Sequence, residues 1–463
     1  MRPHCIAPPS LLLAFFGAGC GANVQAELSF SEVSPTVASV SWSSNEHDVT
    51  AAWLTYGLES PDEQQIDLSL DGSATRLLGL KAGRTYEGRV VVASNGAQFE
   101  SEAFEFEPEA PPADFPATDV QVFDAANAHE QFLLTTLFAG PAAPVILDSD
   151  GDYVWWYIPD NAYEVNYSRA AVTADLESLL AWTLNMQVIS GDEGPGGGGA
   201  DVDDQTLLGA DPALITVNWE GTEVSVEQID EGHHDLVTLP DGGVAYLERD
   251  FRPIDGVEME GDRIIERSPD GTIAEIWSVW DDFTRDNNDQ TGTTGTGWSH
   301  ANALDYVADE DAYYVSSLGL EMIVKVARAT GEMEWVLGGE HSDFSDESGD
   351  VDFFVHQHQF ERIGENILVF DNGDVKRLAN QVLELQLDEE TGTANEVWSY
   401  RPDLDIFSFS LGDVSRLANG NTLVTFSNQG QIDEVNPDGE LVWRLNFELS
   451  GAIGYLTPLD SLY

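Results

Sequence analysis

Six times along the chain a tight glycine turn runs into an apolar, strand-like stretch that carries a tryptophan. Asp150-Gly151 leads to Trp155, Gly209-Ala210 to Trp219, Asp270-Gly271 to Trp277, Thr330-Gly331 to Trp335, Thr391-Gly392 to Trp398 and Asp438-Gly439 to Trp443. The glycines stand 58, 62, 60, 61 and 47 residues apart. A unit of a few short strands cannot bury its apolar face alone, so it needs its neighbours. Solenoids repeat at shorter periods, and a doubly wound α/β fold needs long helical crossovers that this pattern lacks. Strand-built units of this length predict a β-propeller of six blades over residues 113–463. The second repeat is the least regular. Its turn has no Asp-Gly or Asn-Gly pair, and a Gly- and Asp-rich insertion, Gly191–Asp204, reads as a surface loop.

Upstream, residues 27–112 alternate apolar and polar positions in short runs such as Val37-Ala38-Ser39-Val40-Ser41-Trp42. That period of two is the mark of half-buried strands. Leu80-Lys81-Ala82-Gly83-Arg84-Thr85-Tyr86 has the form of a tyrosine corner, so a small immunoglobulin- or fibronectin III-like β-sandwich is expected. Pro108, Pro111, Pro112 and Pro116 mark the boundary to the propeller. The expected fold class is therefore all-β, a sandwich followed by a propeller.

Residues 1–26 read as a signal peptide: Arg2, then Leu11-Leu12-Leu13-Ala14-Phe15-Phe16, an apolar run too short to span a bilayer as a helix. Two processing routes compete. Ala18-Gly19-Cys20 resembles a lipoprotein box that would leave a lipid anchor on Cys20, whereas Val24-Gln25-Ala26 suits ordinary signal peptidase. Either route exports the protein, to the periplasm or, as an outer-membrane lipoprotein, to the cell surface. Cys5 and Cys20 both fall in this leader, so no disulfide is expected in the mature chain.

Against 19 basic residues stand 83 acidic ones, a net charge of −64. Long-range repulsion makes nucleic acid and anionic membrane surfaces poor partners. The acidity suits either a solvated surface in a salty medium or cation binding. Asp148-Ser149-Asp150-Gly151-Asp152 resembles part of a calcium loop, but no distal Glu follows at EF-hand spacing, and a blade turn explains it.

The candidate site comes from the histidines. His234 to Gly242, His300 to Ala308 and His358 to Asn366 each span eight residues from a histidine to a turn, in successive repeats. In a propeller, matched positions of neighbouring blades converge on one axial funnel, so His234, His300 and His358 are expected to share a pocket. His233 points away from His234 on a regular strand and is expected to be exposed. His47, His129 and His341 have no partner in register. Three imidazoles allow two chemistries. They could hold a metal such as zinc, or one could act as nucleophile or base while the others hold an anion.

The set His234-Asp235 with Leu239-Pro240-Asp241-Gly242, Trp298-Ser299-His300-Ala301-Asn302, Val315-Ser316-Ser317, Trp335-Val336-Leu337-Gly338-Gly339 and Gln357-His358 leading to Phe370-Asp371-Asn372-Gly373 resembles the bacterial arylsulfate sulfotransferase family. That resemblance covers roughly residues 115–463, and the upstream sandwich fits the same layout. It implies sulfuryl transfer from a phenolic sulfate ester to a phenol, with no nucleotide sulfate donor, no metal and no cofactor. His358 would be the nucleophile, with His234 and His300 as donors to the sulfuryl oxygens. Asn302 and Asp371 would orient rings or turns, and Asn372-Gly373 reads as a turn. The sequence departs from the family at one position: the Arg expected after Val315-Ser316-Ser317 is Leu318. Arg377 is the first candidate to replace it, followed by Arg362, Arg416 and Arg169. With that Arg lost, the rival reading is a propeller that binds a small anion or a partner without turning it over.

Overall fold

The computed structural model describes residues 24–138, 141–158, 169–181, 212–229, 231–254, 256–284, 298–373, 379–402, 406–448 and 451–463, and the backbone alone at 14–15, 166–168 and 182–184. Both cysteines, the insertion 191–204, the turn at Gly209 and Arg377 lie outside the described residues. The fold is all-β. Among the described residues the only helices are one turn at Val279–Asp282 and a 3₁₀ turn at Ser427–Gln429, and no helix is long and apolar enough to cross a membrane.

Strands between residues 24 and 106 form two antiparallel sheets. One contains Val24–Phe30, Ala38–Ser44 and Thr75–Leu77; the other contains Val49–Gly57, Gln64–Asp67, Tyr86–Ser94, Ala97–Glu100 and Phe104–Phe106. Their inward residues, among them Leu28, Val40, Leu54, Val90 and Phe106, share one core. The Lys81 N–H donates to the Tyr86 hydroxyl at 2.9 Å, which is the hydrogen bond of a tyrosine corner.

From residue 117 onward the strands form six antiparallel sheets in a propeller-like arrangement. One strand from each, Phe132–Leu137, Asn166–Val172, Gly232–Thr238, Ala301–Val307, Gln357–Ile363 and Asp413–Arg416, packs beside the next in that order. The ends are stitched across: Ala117–Phe123 pairs with Leu441–Glu448 in the last sheet, and Thr457–Leu459 pairs with Phe132–Leu137 in the first. Apolar clusters fill the spaces between successive sheets, including one of Leu423, Ile432 and Trp443 from the last with Leu133, Val145 and Tyr153 from the first.

Two devices repeat at the sheet interfaces. The recurrent tryptophans donate their indole N–H to backbone carbonyls across a gap: Trp155 to Trp219, Trp398 to Pro437 and Trp443 to Ser149, at 2.8, 3.0 and 2.8 Å. Nearer the axis, Asp235, Asp305, Glu361 and Asp413 accept from the backbone N–H of Leu304, Arg362, Arg416 and Leu456 at 3.0, 3.5, 2.6 and 2.8 Å. The turn of the second repeat is a correction to the sequence reading. It is Gly221, with φ of 82°, that precedes the outer strand Glu223–Gln228, so the turn follows Trp219 rather than leading to it.

Candidate functional site

The ladder between the first two strands is interrupted at a similar place in three successive sheets: between His233 and Leu236, Ala301 and Ala303, and Gln357 and Phe360. A bulge breaks the alternation of a strand and re-aims its side chains. Beside each bulge a histidine takes the left-handed backbone: φ is 50° at His234, 45° at His300 and 56° at His356. Such a conformation costs an L-residue about 1–2 kcal/mol, and strain of this kind collects at functional sites. By backbone the third equivalent is therefore His356, which is exposed. His358 reaches the site from two residues farther along the strand, a slip that the even eight-residue count conceals.

The rings of His234 and His300 stand 5.0 Å apart, centroid to centroid, at 63°. Burial pushes the His234 pKa well down, and the charges of His300, His233, His358 and Arg249 add to this. The sequence-predicted trio is thus a neighbourhood in which each ring feels the others. Among the described residues, the one set of three ligand-type side chains with donor atoms within 4.8 Å of one another is Asp148, Asp150 and Asp152. The ring nitrogens of His234, His300 and His358 do not all fall within that distance of one another.

His358 is 4% exposed, and its Nδ1 lies 2.7 Å from the Asn372 Oδ1. The Asn372 amide nitrogen donates to two carbonyls, Ser408 at 3.0 Å and Leu411 at 2.8 Å. Those carbonyls fix which end of the amide carries oxygen, so Oδ1 faces His358 and Nδ1 must be the protonated ring nitrogen. Nε2 then carries the lone pair of the neutral ring. Burial depresses the His358 pKa to about 4, with His300 acting the same way; the Asn372 contact and the His356 carbonyl oppose it. At neutral pH the ring is uncharged. Asn372, read from sequence as part of a turn, is the residue that sets its tautomer.

Asn302 is fully buried and donates to the Gln357 carbonyl at 2.8 Å, while its own carbonyl accepts from the Tyr455 hydroxyl at 2.9 Å. It secures the backbone just before His358. Asp371 accepts from Val355 N–H, Gly373 N–H and the Gln381 side chain at 3.2, 2.9 and 2.7 Å, which anchors the residue preceding Asn372.

His233 departs from expectation. It is 4% exposed, not solvated: it stays in register with buried Leu247 while the bulge displaces His234 and Asp235, its Nδ1 lies 2.9 Å from the His234 Nδ1 and its Nε2 lies 3.0 Å from the Asp262 Oδ1. Three of the proposed replacement cations are already engaged. Arg169 pairs with Asp235 at 2.6 Å and Asp413 at 3.8 Å, Arg362 with Glu310 and Glu389 at 3.2 and 3.1 Å, and Arg416 with Glu384 at 2.5 Å. Leu318 adjoins His300, whose carbonyl accepts its N–H at 3.0 Å. Arg249, on the strand paired with that of His234 and itself paired with Glu260 at 3.2 Å, is the guanidinium whose charge reaches His234. No sequence spacing points to it. His47, His129 and His341 are elsewhere; His129 pairs with Asp460 at 3.0 Å, and His341 packs 5.1 Å from the Phe283 ring.

A buried neutral imidazole with a defined lone pair, bordered by two more imidazoles and a guanidinium, can attack an electrophile and hold the anion it carries. An arylsulfate sulfotransferase of Escherichia coli O6:H1, AssT, is 22% identical over 385 residues, covering 65% of this chain; the chain spans 60% of that relative's length. Solved structures resemble it only loosely. A Bacteroides caccae protein of unknown function matches at TM-score 0.41 and 14% identity, over 72% of this chain and 100% of that one. A streptogramin B lyase matches at 0.37 and 13%, over 74% and 97%. Residues 118–447 match the arylsulfotransferase (ASST) family, and the chain belongs to it.

Proposed function

We propose that this protein transfers a sulfuryl group from a phenolic sulfate ester to a phenol by way of a sulfuryl group carried on His358. The observation that carries this reading is the His358–Asn372 contact at 2.7 Å, with the amide turned by Ser408 and Leu411 so that Nε2 holds the lone pair. A nucleophile of this kind splits one hard displacement into two easier ones. His234 and His300 border the ring, and Arg249 offers the fixed charge that Leu318 lacks. The scaffold in this reading is a six-bladed propeller, residues 113–463, with an axial pocket, behind an immunoglobulin-like sandwich, residues 27–112. The six sheets with filled interfaces and the Lys81–Tyr86 bond support it. Export behind the leader 1–26 is part of the same proposal.

The test is incubation with 4-nitrophenyl sulfate and a phenol acceptor, comparing wild type with His358→Ala. Sulfuryl transfer gives one equivalent of nitrophenol without acceptor and continued release only with it, and both disappear in the variant. Leu318 favours a second reading, a family member that binds an anion without turnover. Anion binding with no release by folded wild type would establish that one instead.

A further inference from the structure

His233 and Asp262 take no part in the reaction as read so far, yet both are buried beside His234. Asp262 is 3% exposed and its Oδ2 accepts from the Ser299 hydroxyl at 2.5 Å and the Ala301 N–H at 2.7 Å. Burial alone would raise this carboxyl, but His233, Ser299 and Ala301 hold it below the usual range. It is a fixed anion. Its other oxygen lies 3.0 Å from the His233 Nε2, at an oblique angle that falls short of an aligned hydrogen bond. That charge favours a proton on Nε2, which leaves the lone pair of a neutral His233 on Nδ1. The His234 Nδ1 stands 2.9 Å from it, and two ring nitrogens at that distance share one proton. With His233 as acceptor, His234 carries its proton on Nδ1 and its lone pair on Nε2.

We propose that Asp262 and His233 are positioning residues that hold His234 in the tautomer of a general base for the acceptor phenol. This rests on the reading of His358 as the sulfuryl carrier. In the first half-reaction the His358 Nε2 pair forms the N–S bond, the S–O bond to the donor breaks, and the phenolate leaves with that electron pair, taking a proton from solvent. In the second, the acceptor oxygen forms the new S–O bond and the N–S pair returns to His358. The acceptor's proton passes to the His234 Nε2 and from there to solvent. Only the second half needs the base.

The experiment separates the halves in Asp262→Asn and His233→Phe. The fast release of nitrophenol from 4-nitrophenyl sulfate without acceptor should match wild type. Transfer onward to phenol should slow on the order of 10–10²-fold. The defect should shrink as pH approaches the ionisation of the acceptor, about 10 for a phenol, because a phenolate needs no base. Equal losses in both halves, or a transfer defect that ignores pH, would overturn the proposal and leave the pair a purely structural support. A measurement on wild type guards against variants that fail to fold. Nitrogen-15 spectra of the histidine rings, assigned with His234→Gln, should show the His234 proton on Nδ1, and a proton on Nε2 overturns the proposal. If wild type releases no nitrophenol, the sulfuryl reading itself fails, while the ring spectra still decide the tautomer.

Discussion

Replacing Asn372 by Ala removes the acceptor that holds the proton on His358 Nδ1 and the donor to the Ser408 and Leu411 carbonyls. A buried ring N–H without an acceptor costs about 1–3 kcal/mol. The ring escapes that cost by moving its proton to Nε2, which takes the lone pair off the attacking nitrogen. At about 1.4 kcal/mol per tenfold, the reactive tautomer falls by roughly 5–150-fold, and kcat with it. The His356 carbonyl, which also acts on the ring, pulls the loss toward the smaller figure. KM for the donor should change little, because Asn372 faces the far side of the ring. The Ser408 carbonyl keeps the Asn380 amide at 2.7 Å, so the loss of the donor to the Leu411 carbonyl should lower stability by about 1–3 kcal/mol. The assay is single-turnover release of nitrophenol, run beside a denaturant titration so that chemistry is compared in folded protein alone. A folded Asn372→Ala that releases nitrophenol as fast as wild type would refute the tautomer argument.

The pH dependence of the same step is a second check. With the folded His358 pKa near 4, the release rate should stay flat from about pH 8 to 5 and halve near 4; a midpoint at the ordinary 6.5 would sink the burial argument. The sign for stability follows: the unfolded ring takes a proton first, so the contribution of the neutral ring is complete above 6.5 and is lost as pH falls from 6.5 to 4. Lys81 tests the contact between the N-terminal sheets and the first propeller-like sheet. Its ammonium lies 3.0, 2.5 and 3.1 Å from Asp148, Asp150 and Asp152, in the place a cation would take. Lys81→Ala should lower the denaturant midpoint by an amount equivalent to about 1–2 kcal/mol, between exposed and buried ion pairs, and less in high salt. An unchanged midpoint would show that solvent already screens the cluster.

Glycine turns and tryptophans made the all-β architecture readable from sequence because each does a local physical job. Gly151, Gly271, Gly331, Gly392 and Gly439 all take positive φ at the turns that sequence spacing identified. The second repeat was misplaced because the tryptophan there, Trp219, precedes the turn glycine Gly221, and the strand that follows, Glu223–Gln228, carries none. The histidines were visible through their spacing, but their orientations were not. Which face of the strand is buried is a long-range property of pairing with Val244–Ile254: His233 stays opposite buried Leu247 and meets Asp262, and the bulge re-aims His234 and Asp235 instead. Asn372 was hidden for the opposite reason. Asn-Gly is a strong turn signal, and nothing local says that this amide is fully buried with three partners. Arg249 adjoins the site through the same paired strands, a relation that linear spacing does not encode.

The placement of the buried charges explains how strained histidines are kept in one geometry. Asp235, next to left-handed His234, accepts from Arg169 at 2.6 Å, Leu236 N–H at 2.9 Å, Leu304 N–H at 3.0 Å and the Gln359 side chain at 2.7 Å. Those partners come from four different sheets. Bonds to a charged group are worth about 1.5–3 kcal/mol each, more than the backbone strain at one residue. The same arrangement recurs around His358: Gln357 on one side bonds Ser316, Ser317 and Met322, and Gln359 on the other bonds Asp235. His234 and His358 therefore each sit one residue from a side chain bonded across to other sheets. In a chain with 19 basic residues against 83 acidic ones, Arg169 lies near the axis against two carboxylates and the Tyr455 ring rather than in the anion pocket.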